Sequence, residues 1–420
     1  MTNNSFHRFS LKGLKSVFLN NKGLLKYMAL SYFDKAIIFL IPLLVFKFFD
    51  DAAIYLNIEY IYSVSTVVIP LVDLGLSSYF YYAYRHSEDR KATQQKFTRN
   101  FNVLFLTLSS IGLGLILFQK NDLVDIIFIE FIVVRVLFTI LSVYYSSYFR
   151  LSGEPQKALY VTLSSNVISI LFIGAYFFLD IDFSLILVFL GQIICVFIYI
   201  IFVIIGFVMS KHSDLDFNSL KNIFFRSLRF SWPTILQAFI MMYITNYGKI
   251  NALTKLNLDD GVLLSLTQRF SMVIFLMHTS ILSYFAKDIF IGETYGIQKK
   301  YFNKYIILLT TTMLVILFLV VGYVAYSYET AVRELTISVL LVVGTYFSCV
   351  IAYLEVHYSR ENKNIFKLYL AILSGAIFMF VLWTYNNDFL SSFALAMNLS
   401  AFGCLTITVW ILYKRNYKLR

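Results

Sequence analysis

Lys35, Lys249 and Arg269 stand inside stretches of the chain that are otherwise strongly apolar. A charge in such a setting costs about 2.5–3.5 kcal/mol on membrane-insertion scales, so it faces protein or a water-filled cavity. Buried cations do one kind of chemistry well, which is to hold an anion. Arg269 could grip a phosphate or an acidic sugar bidentately, with Lys35 and Lys249 as point charges beside it. The alternative is internal ion pairing, for instance Lys35 with Glu59. Asp34, Glu59, Asp73 and Glu355 are the acidic counterparts, read as ion-pair partners or as groups coupling movement to H+ or Na+. Asp73, in "PLVDLGLSS", either caps or pairs near a helix end or carries a proton; Glu355 either anchors or couples. Glu130 and Arg135 are five residues apart and read as structural near neighbours, and His278 reads as a packed histidine.

Other chemistries find no support in the motifs. The chain has no CxxC, HExxH, GxGxxG or phosphate loop followed by Lys-Ser/Thr. Its three cysteines, Cys195, Cys349 and Cys404, are scattered through apolar runs and read as packing residues, neither a disulfide framework nor a metal site. The expectation is a non-enzyme with no catalytic residue, metal or cofactor.

The elements that must position these charges follow from composition. The 420 residues are 59% hydrophobic and 14% charged, with mean hydropathy +0.73. A soluble domain averages about 25% charged residues. Runs such as "LILVFLGQIICVFIYIIFVIIGFVM" match the ~20 residues that cross a bilayer as a helix. Twelve spans are predicted, near 27–49, 55–82, 101–119, 123–148, 158–179, 184–209, 232–253, 262–285, 305–328, 335–358, 367–385 and 390–412. Of the 35 Lys and Arg, 27 fall in the two termini and alternate loops, while the opposite side carries Lys47, Lys120, Lys255 and Arg333. The positive-inside rule then puts both termini in the cytoplasm. The first 26 residues hold five basic residues and no short apolar core with a cleavage site, which argues against a signal peptide. The net charge of +11 is mostly loop charge facing anionic lipid, so no nucleic-acid partner is expected.

An internal repeat organises the spans. "SLKGL" at Ser10 recurs as "SLKNI" at Ser219, and Asp50–Asp51 recurs as Asp259–Asp260, both 209 residues later. Tyr148, Arg150 and Lys157 match Tyr358, Arg360 and Lys367 at 210. The fold predicted is an all-α integral membrane protein of twelve transmembrane helices, in two six-helix pseudo-symmetric halves (1–209 and 210–420) around a central cavity. Each half opens with an amphipathic surface helix leading into its first span. Six spans are an even number, so the repeat is parallel and the halves would rock against each other. Pro42 and Pro70 fall inside spans and could serve as hinges; Pro233 reads as a first-turn proline that starts a helix.

The stretch "SLRFSWPTILQAFIMMYITNYGKINALTKLNLDDGVLLSLTQRFSMVIF" resembles the seventh and eighth spans of O-antigen and capsule flippases. "VVIPLVDLGLSSYFYYAYR" resembles the end of their second span. These belong to the polysaccharide-transport branch of the multidrug, oligosaccharidyl-lipid and polysaccharide exporter superfamily. The resemblance implies movement of an undecaprenyl-diphosphate-linked oligosaccharide across the bacterial inner membrane, for lipopolysaccharide or capsule. It also implies membrane lipids as surroundings, a polymerase and other glycan-assembly proteins as partners, and a cationic lumen that includes Lys249 and Arg269 by position. Where many relatives have Asp-Arg in the seventh span, this chain has Gly248–Lys249. A multidrug exporter of the same superfamily is the nearest alternative, favouring an acidic cavity for cationic cargo. A membrane glycan polymerase or ligase is the other, and its large external loop is missing from the sequence.

Overall fold

The computed structural model describes residues 22–49, 52–85, 87–118, 123–152, 154–179, 185–209, 217–291, 299–328, 332–360, 364–385 and 388–414. Among these residues the protein is entirely helical. The helices are α1 (Lys22–Phe49), α2 (Ala52–Asp73), α3 (Leu76–Arg85), α4 (Arg90–Phe118), α5 (Leu123–Leu151), α6 (Pro155–Phe178) and α7 (Ile186–Met209). They continue as α8 (Phe217–Lys255), α9 (Leu258–Ile291), α10 (Lys299–Ser327), α11 (Val332–Arg360), α12 (Asn364–Thr384) and α13 (Phe389–Lys414). Among the described residues ten segments are long and apolar enough to cross a membrane; α1, α3 and α8 contribute none of them, so the expected spans near 27–49 and 232–253 are not among the ten. The chain is a multi-pass membrane protein. The first surface helix at Ser10 and the pair Asp50–Asp51 lie outside the described residues.

Two details depart from the expected spans. The second span, predicted as one stretch over 55–82, is broken between α2 and α3, where Leu74 (φ 51°) and Gly75 (φ 68°) both adopt left-handed backbone. Two such residues cannot continue a right-handed helix. The basic surface helix at Ser219 is not a separate element either. It runs without interruption into the next span, so α8 has 39 residues and Pro233 lies well inside it. At 1.5 Å per residue α8 is about 58 Å long, against a hydrocarbon core of about 30 Å.

The helices are described in two groups, α1 to α7 and α8 to α13, and the contact of α2 with α8 between the groups is more extensive than any contact within the first. The first group is held by aromatic side chains from α3, α4, α5 and α7. Phe101 and Tyr144 lie face to face with centroids 3.9 Å apart, Phe80 stacks on Tyr144, and Tyr199 meets Phe105 edge-on. The second group packs through aliphatic residues such as Leu263, Ile274, Leu309 and Leu341, all fully buried. Large apolar side chains left outside, including Phe118, Phe178, Phe318 and Trp383, are those expected to meet lipid tails. The groups meet along a seam in which α2 and α3 lie on α8, and α2 also touches α9.

Candidate functional site: a charged seam between the helix groups

On α2, Tyr55, Glu59 and Tyr62 are spaced by four and three residues and share one face. That face is pressed into the seam, and Glu59 is 2% exposed. Two cations reach it from the second group. Lys249 Nζ, on α8, is 3.0 Å from Glu59 Oε2, and Arg269, on α9, donates through Nε to Glu59 Oε1. Arg269 also donates from Nη1 to the Phe39 carbonyl on α1 at 3.2 Å. That carbonyl is next to Ile38, whose own carbonyl is denied its usual helical partner because Pro42 has no N–H. Lys249 and Arg269 are 7% and 3% exposed. A fifth helix contributes Arg135 of α5, whose guanidinium lies 4.0 Å over the Tyr62 ring; that of Arg269 lies 5.8 Å over the same ring.

The cluster is therefore three cations against one carboxylate, with an aromatic face as the further stabilising surface. Neutralising Lys249 and Arg269 with a single Glu59 leaves an excess of positive charge in a place of low dielectric, where an anion is strongly favoured. Neighbouring glycines admit close approach, Gly261 across the seam against α2 and Gly248 within the second group against α13. A Cβ at Gly248 would fall 2.7 Å from the Phe393 ring, and one at Gly261 would fall 2.9 Å from Leu56. Gly248 thus admits Phe393 of α13 beside Lys249.

The second closure of the seam lies at the break after α2. Ser231 and Ser227 of α8 donate to the carbonyls of Gly75 (3.1 Å) and Leu74 (3.4 Å). The Gly75 carbonyl also accepts the backbone N–H of Tyr79 at 3.0 Å, so the Ser231 hydroxyl takes its second acceptor position and ties α8 to the start of α3. Gly75 is required twice over there: its φ is positive, and an added Cβ would meet Ser231 Cβ at 2.1 Å. Asp73 is half-buried beside this contact and lines a cavity of about 170 Å3 with Pro70 and Thr234.

The remaining predicted residues lie elsewhere. Lys35 does not pair with Glu59; it is 3.7 Å from Asp34, with its side chain 43% exposed. It stands one turn before Phe39 on the same stripe of α1. Asp34 points into the first group, where Asn166 Nδ2 donates to its Oδ1 at 2.9 Å, while its other oxygen, Oδ2, is the one that faces Lys35. Glu355 is buried within the second group and accepts from Gln237 Nε2 at 3.0 Å. His278 is packed, hydrogen-bonded through Nδ1 to the Tyr305 hydroxyl at 2.7 Å, and that hydroxyl donates to the Cys349 carbonyl. Glu130 and Arg135 form no ion pair among the described residues. Five residues on a helix turn through about 140° beyond a full circle, so the two side chains leave α5 in different directions. Arg135 was thus missed as a member of the site, although it shows the same signal as Arg269, a cation within an apolar run.

No family model matches the sequence, and no curated protein does. Solved structures do match. A chain described as "protein A" superposes with TM-score 0.69 at 15% identity, covering 95% of this chain and 96% of its own length. The lipid II flippase MurJ, in an inward closed conformation, gives 0.62 at 12% identity over 93% of this chain and 87% of that one. The MATE multidrug transporter DinF-BH gives 0.61 at 14% identity over 95% and 96%. A multidrug resistance transporter of the MATE family, assigned to the MOP superfamily, also aligns, with TM-score 0.57. Over almost its whole length the chain has the fold shared by these structures, among them a lipid II flippase and MATE multidrug transporters.

Proposed function

We propose that the chain is a flippase that carries an undecaprenyl-diphosphate-linked oligosaccharide, an O-antigen or capsule repeat unit, across the bacterial inner membrane by alternating access. The observation that carries this reading is the seam cluster of Lys249, Arg269 and Arg135 around the single carboxylate of Glu59. Glu59 sits where an anionic headgroup would be held. A diphosphate entering between the groups would compete with it for Lys249 and for the bidentate fork of Arg269. Losing Glu59 as a bridge frees the two groups to part, so binding and opening become one event. The polyprenyl tail stays in lipid while the headgroup crosses. Lys35, the most exposed of the predicted cations, stands toward the mouth of this path.

The division into halves at residue 209 is part of the same reading. Helices α4, α5 and α6 begin at Arg90, Leu123 and Pro155, and α10, α11 and α12 begin 209 residues later, at Lys299, Val332 and Asn364. That recurrence supports a duplicated six-helix unit. Both termini are assigned to the cytoplasm by the distribution of Lys and Arg. Asp34 and Glu355, buried one in each group, are the groups proposed to couple the cycle to H+ or Na+. Polymerase and other glycan-assembly proteins are the proposed partners.

The buried carboxylate of Asp34 favours a second reading, export of a cationic drug that would compete with Lys35 for it. Deletion of the gene separates the two. Accumulation of a lipid-linked oligosaccharide on the cytoplasmic face supports the flippase. Normal surface glycan together with new sensitivity to cationic compounds would replace it with the exporter.

A further inference from the structure

A second polar feature lies between α4 and α7. There a cavity of about 350 Å3 has a polar wall on α4 and an apolar wall on α7, with Tyr148 of α5 also lining it. The polar wall is a single face of α4: Gln95, Thr98, Arg99 and Asn102 follow the spacing of three, four and seven residues. The apolar wall is α7, with Phe202 and Gly206.

The donors on the polar wall are sorted by their existing bonds. Thr98 is saturated, since its hydroxyl donates to the Gln94 carbonyl and accepts from Tyr144. The amide oxygen of Asn102 accepts from the Tyr199 hydroxyl at 2.6 Å, which turns its NH2 group away from Tyr199. Arg99 has no ion-pair partner among the described residues. A guanidinium and an amide NH2 one turn apart form a fork for a phosphate. The apolar side says where the phosphate comes from. Phe202 is 68% exposed and Val208, farther along α7, 77% exposed, so this flank faces lipid. A Cβ at Gly206 would meet nothing within 4 Å, so the groove stays open toward the lipid there.

We infer that the α4–α7 cavity binds the phosphate headgroup of one anionic phospholipid, with Arg99 and Asn102 on the phosphate and an acyl chain along Phe202 and Gly206. The cavity lies at the end of α4 that carries Arg90, Lys91 and Lys96. Under the orientation proposed above, that end belongs to the cytoplasmic leaflet, where basic pockets between helices recognise anionic lipid. Such a lipid would brace the first helix group without touching the transport path.

The test is native mass spectrometry of the full chain in detergent, titrated with phosphatidylglycerol or with phosphatidylcholine of the same chains. The wild type should retain one phosphatidylglycerol in preference to phosphatidylcholine. Arg99→Gln should weaken that binding about fivefold, the effect of one basic residue at a membrane surface. Gly206→Leu should weaken it by filling the groove, while Gly114→Leu, another site open to lipid, should not. Both glycines have free space around them, so both variants keep the fold. Equal retention of the two lipids, or unchanged binding in both Arg99→Gln and Gly206→Leu, would overturn the proposal. Displacement by millimolar inorganic phosphate would overturn it as well, by making the cavity a site for the free ion.

Discussion

The seam is fastened in two unlike ways. At Glu59 it is charged: one buried carboxylate holds Lys249 and Arg269 from the opposing helix group. At Gly75 it is neutral: two serine hydroxyls of α8 donate to the carbonyls of Leu74 and Gly75 at the break, and glycine lets the backbones approach. A charged contact between buried groups is exchangeable, since any anion of suitable shape can take the place of the carboxylate. The neutral contact depends on shape and backbone direction, and no solute in the path can replace it. The charged fastening is suited to sensing a headgroup. In the proposed flippase, the glycine contact would restore the same closed register in each cycle.

The largest expected effect comes from breaking the charged fastening. Glu59→Gln leaves Lys249 and Arg269 buried without their anion, which should destabilise the protein by about 3–5 kcal/mol. Thermal unfolding in detergent measures the loss. Inorganic pyrophosphate should restore more stability to Glu59→Gln than to wild type, because the competing carboxylate is gone. Equal restoration in the two proteins would mean that Glu59 does not occupy an anion site.

Breaking the neutral fastening should cost less. Gly75→Ala places a side chain at positive φ and drives it into Ser231, for a loss of about 2–3 kcal/mol. Adding Ser231→Gly to that variant removes the colliding Cβ and should recover the steric part. Pyrophosphate should not help either variant beyond its effect on wild type. A specific rescue by anion here would erase the distinction between the two contacts.

The smallest effect concerns an exposed ion cluster that contrasts with the buried one. Arg333 bonds Asp260 at the start of α9 and Asp388 just before α13. Burial alone would raise the Asp388 carboxyl, but hydrogen bonds from Ser391 and Arg333, with the Arg333 charge, hold it below its ordinary 3.8. A depressed folded value means that the stabilisation is present above 3.8 and is lost as pH falls through the lower folded value. Being partly exposed, it should amount to about 0–1 kcal/mol. Melting temperatures recorded as pH falls below 4 should decline less steeply in Arg333→Gln than in wild type. An identical decline would remove Asp388 from the account of acid stability.

Much of the helical layout was legible in the sequence, because apolar runs of bilayer length leave little choice but helix. That the cations matter was legible too, since charge within such runs is costly. Their partners were not. Glu59 lies 190 residues from Lys249 and 210 from Arg269, and no local spacing rule spans that separation. Lys35 seemed a nearer partner for Glu59, but the face of α2 that carries Glu59 turns toward α8 and α9. The break at Leu74–Gly75 did leave a trace. The predicted second span ran over 55–82, well beyond the ~20 residues a crossing needs, with Gly75 inside it. The union of the second surface helix with α8 left none, because Pro233 looks the same in sequence whether it begins a helix or sits within one.

The most direct measurement is translocation by the purified chain in sealed vesicles loaded with an undecaprenyl-diphosphate-linked oligosaccharide. A glycan-cleaving enzyme added outside reads how much of the sugar has crossed. Wild type should expose the inner pool, and Arg269→Ala should do so at least about tenfold more slowly, as expected when a charge-assisted contact to the headgroup is lost. Arg269→Lys should fall between them, retaining charge without the bidentate fork. Equal rates in wild type and Arg269→Ala, or no translocation by wild type in vesicles where it exports a cationic dye, would contradict an anion-holding seam at the centre of the cycle.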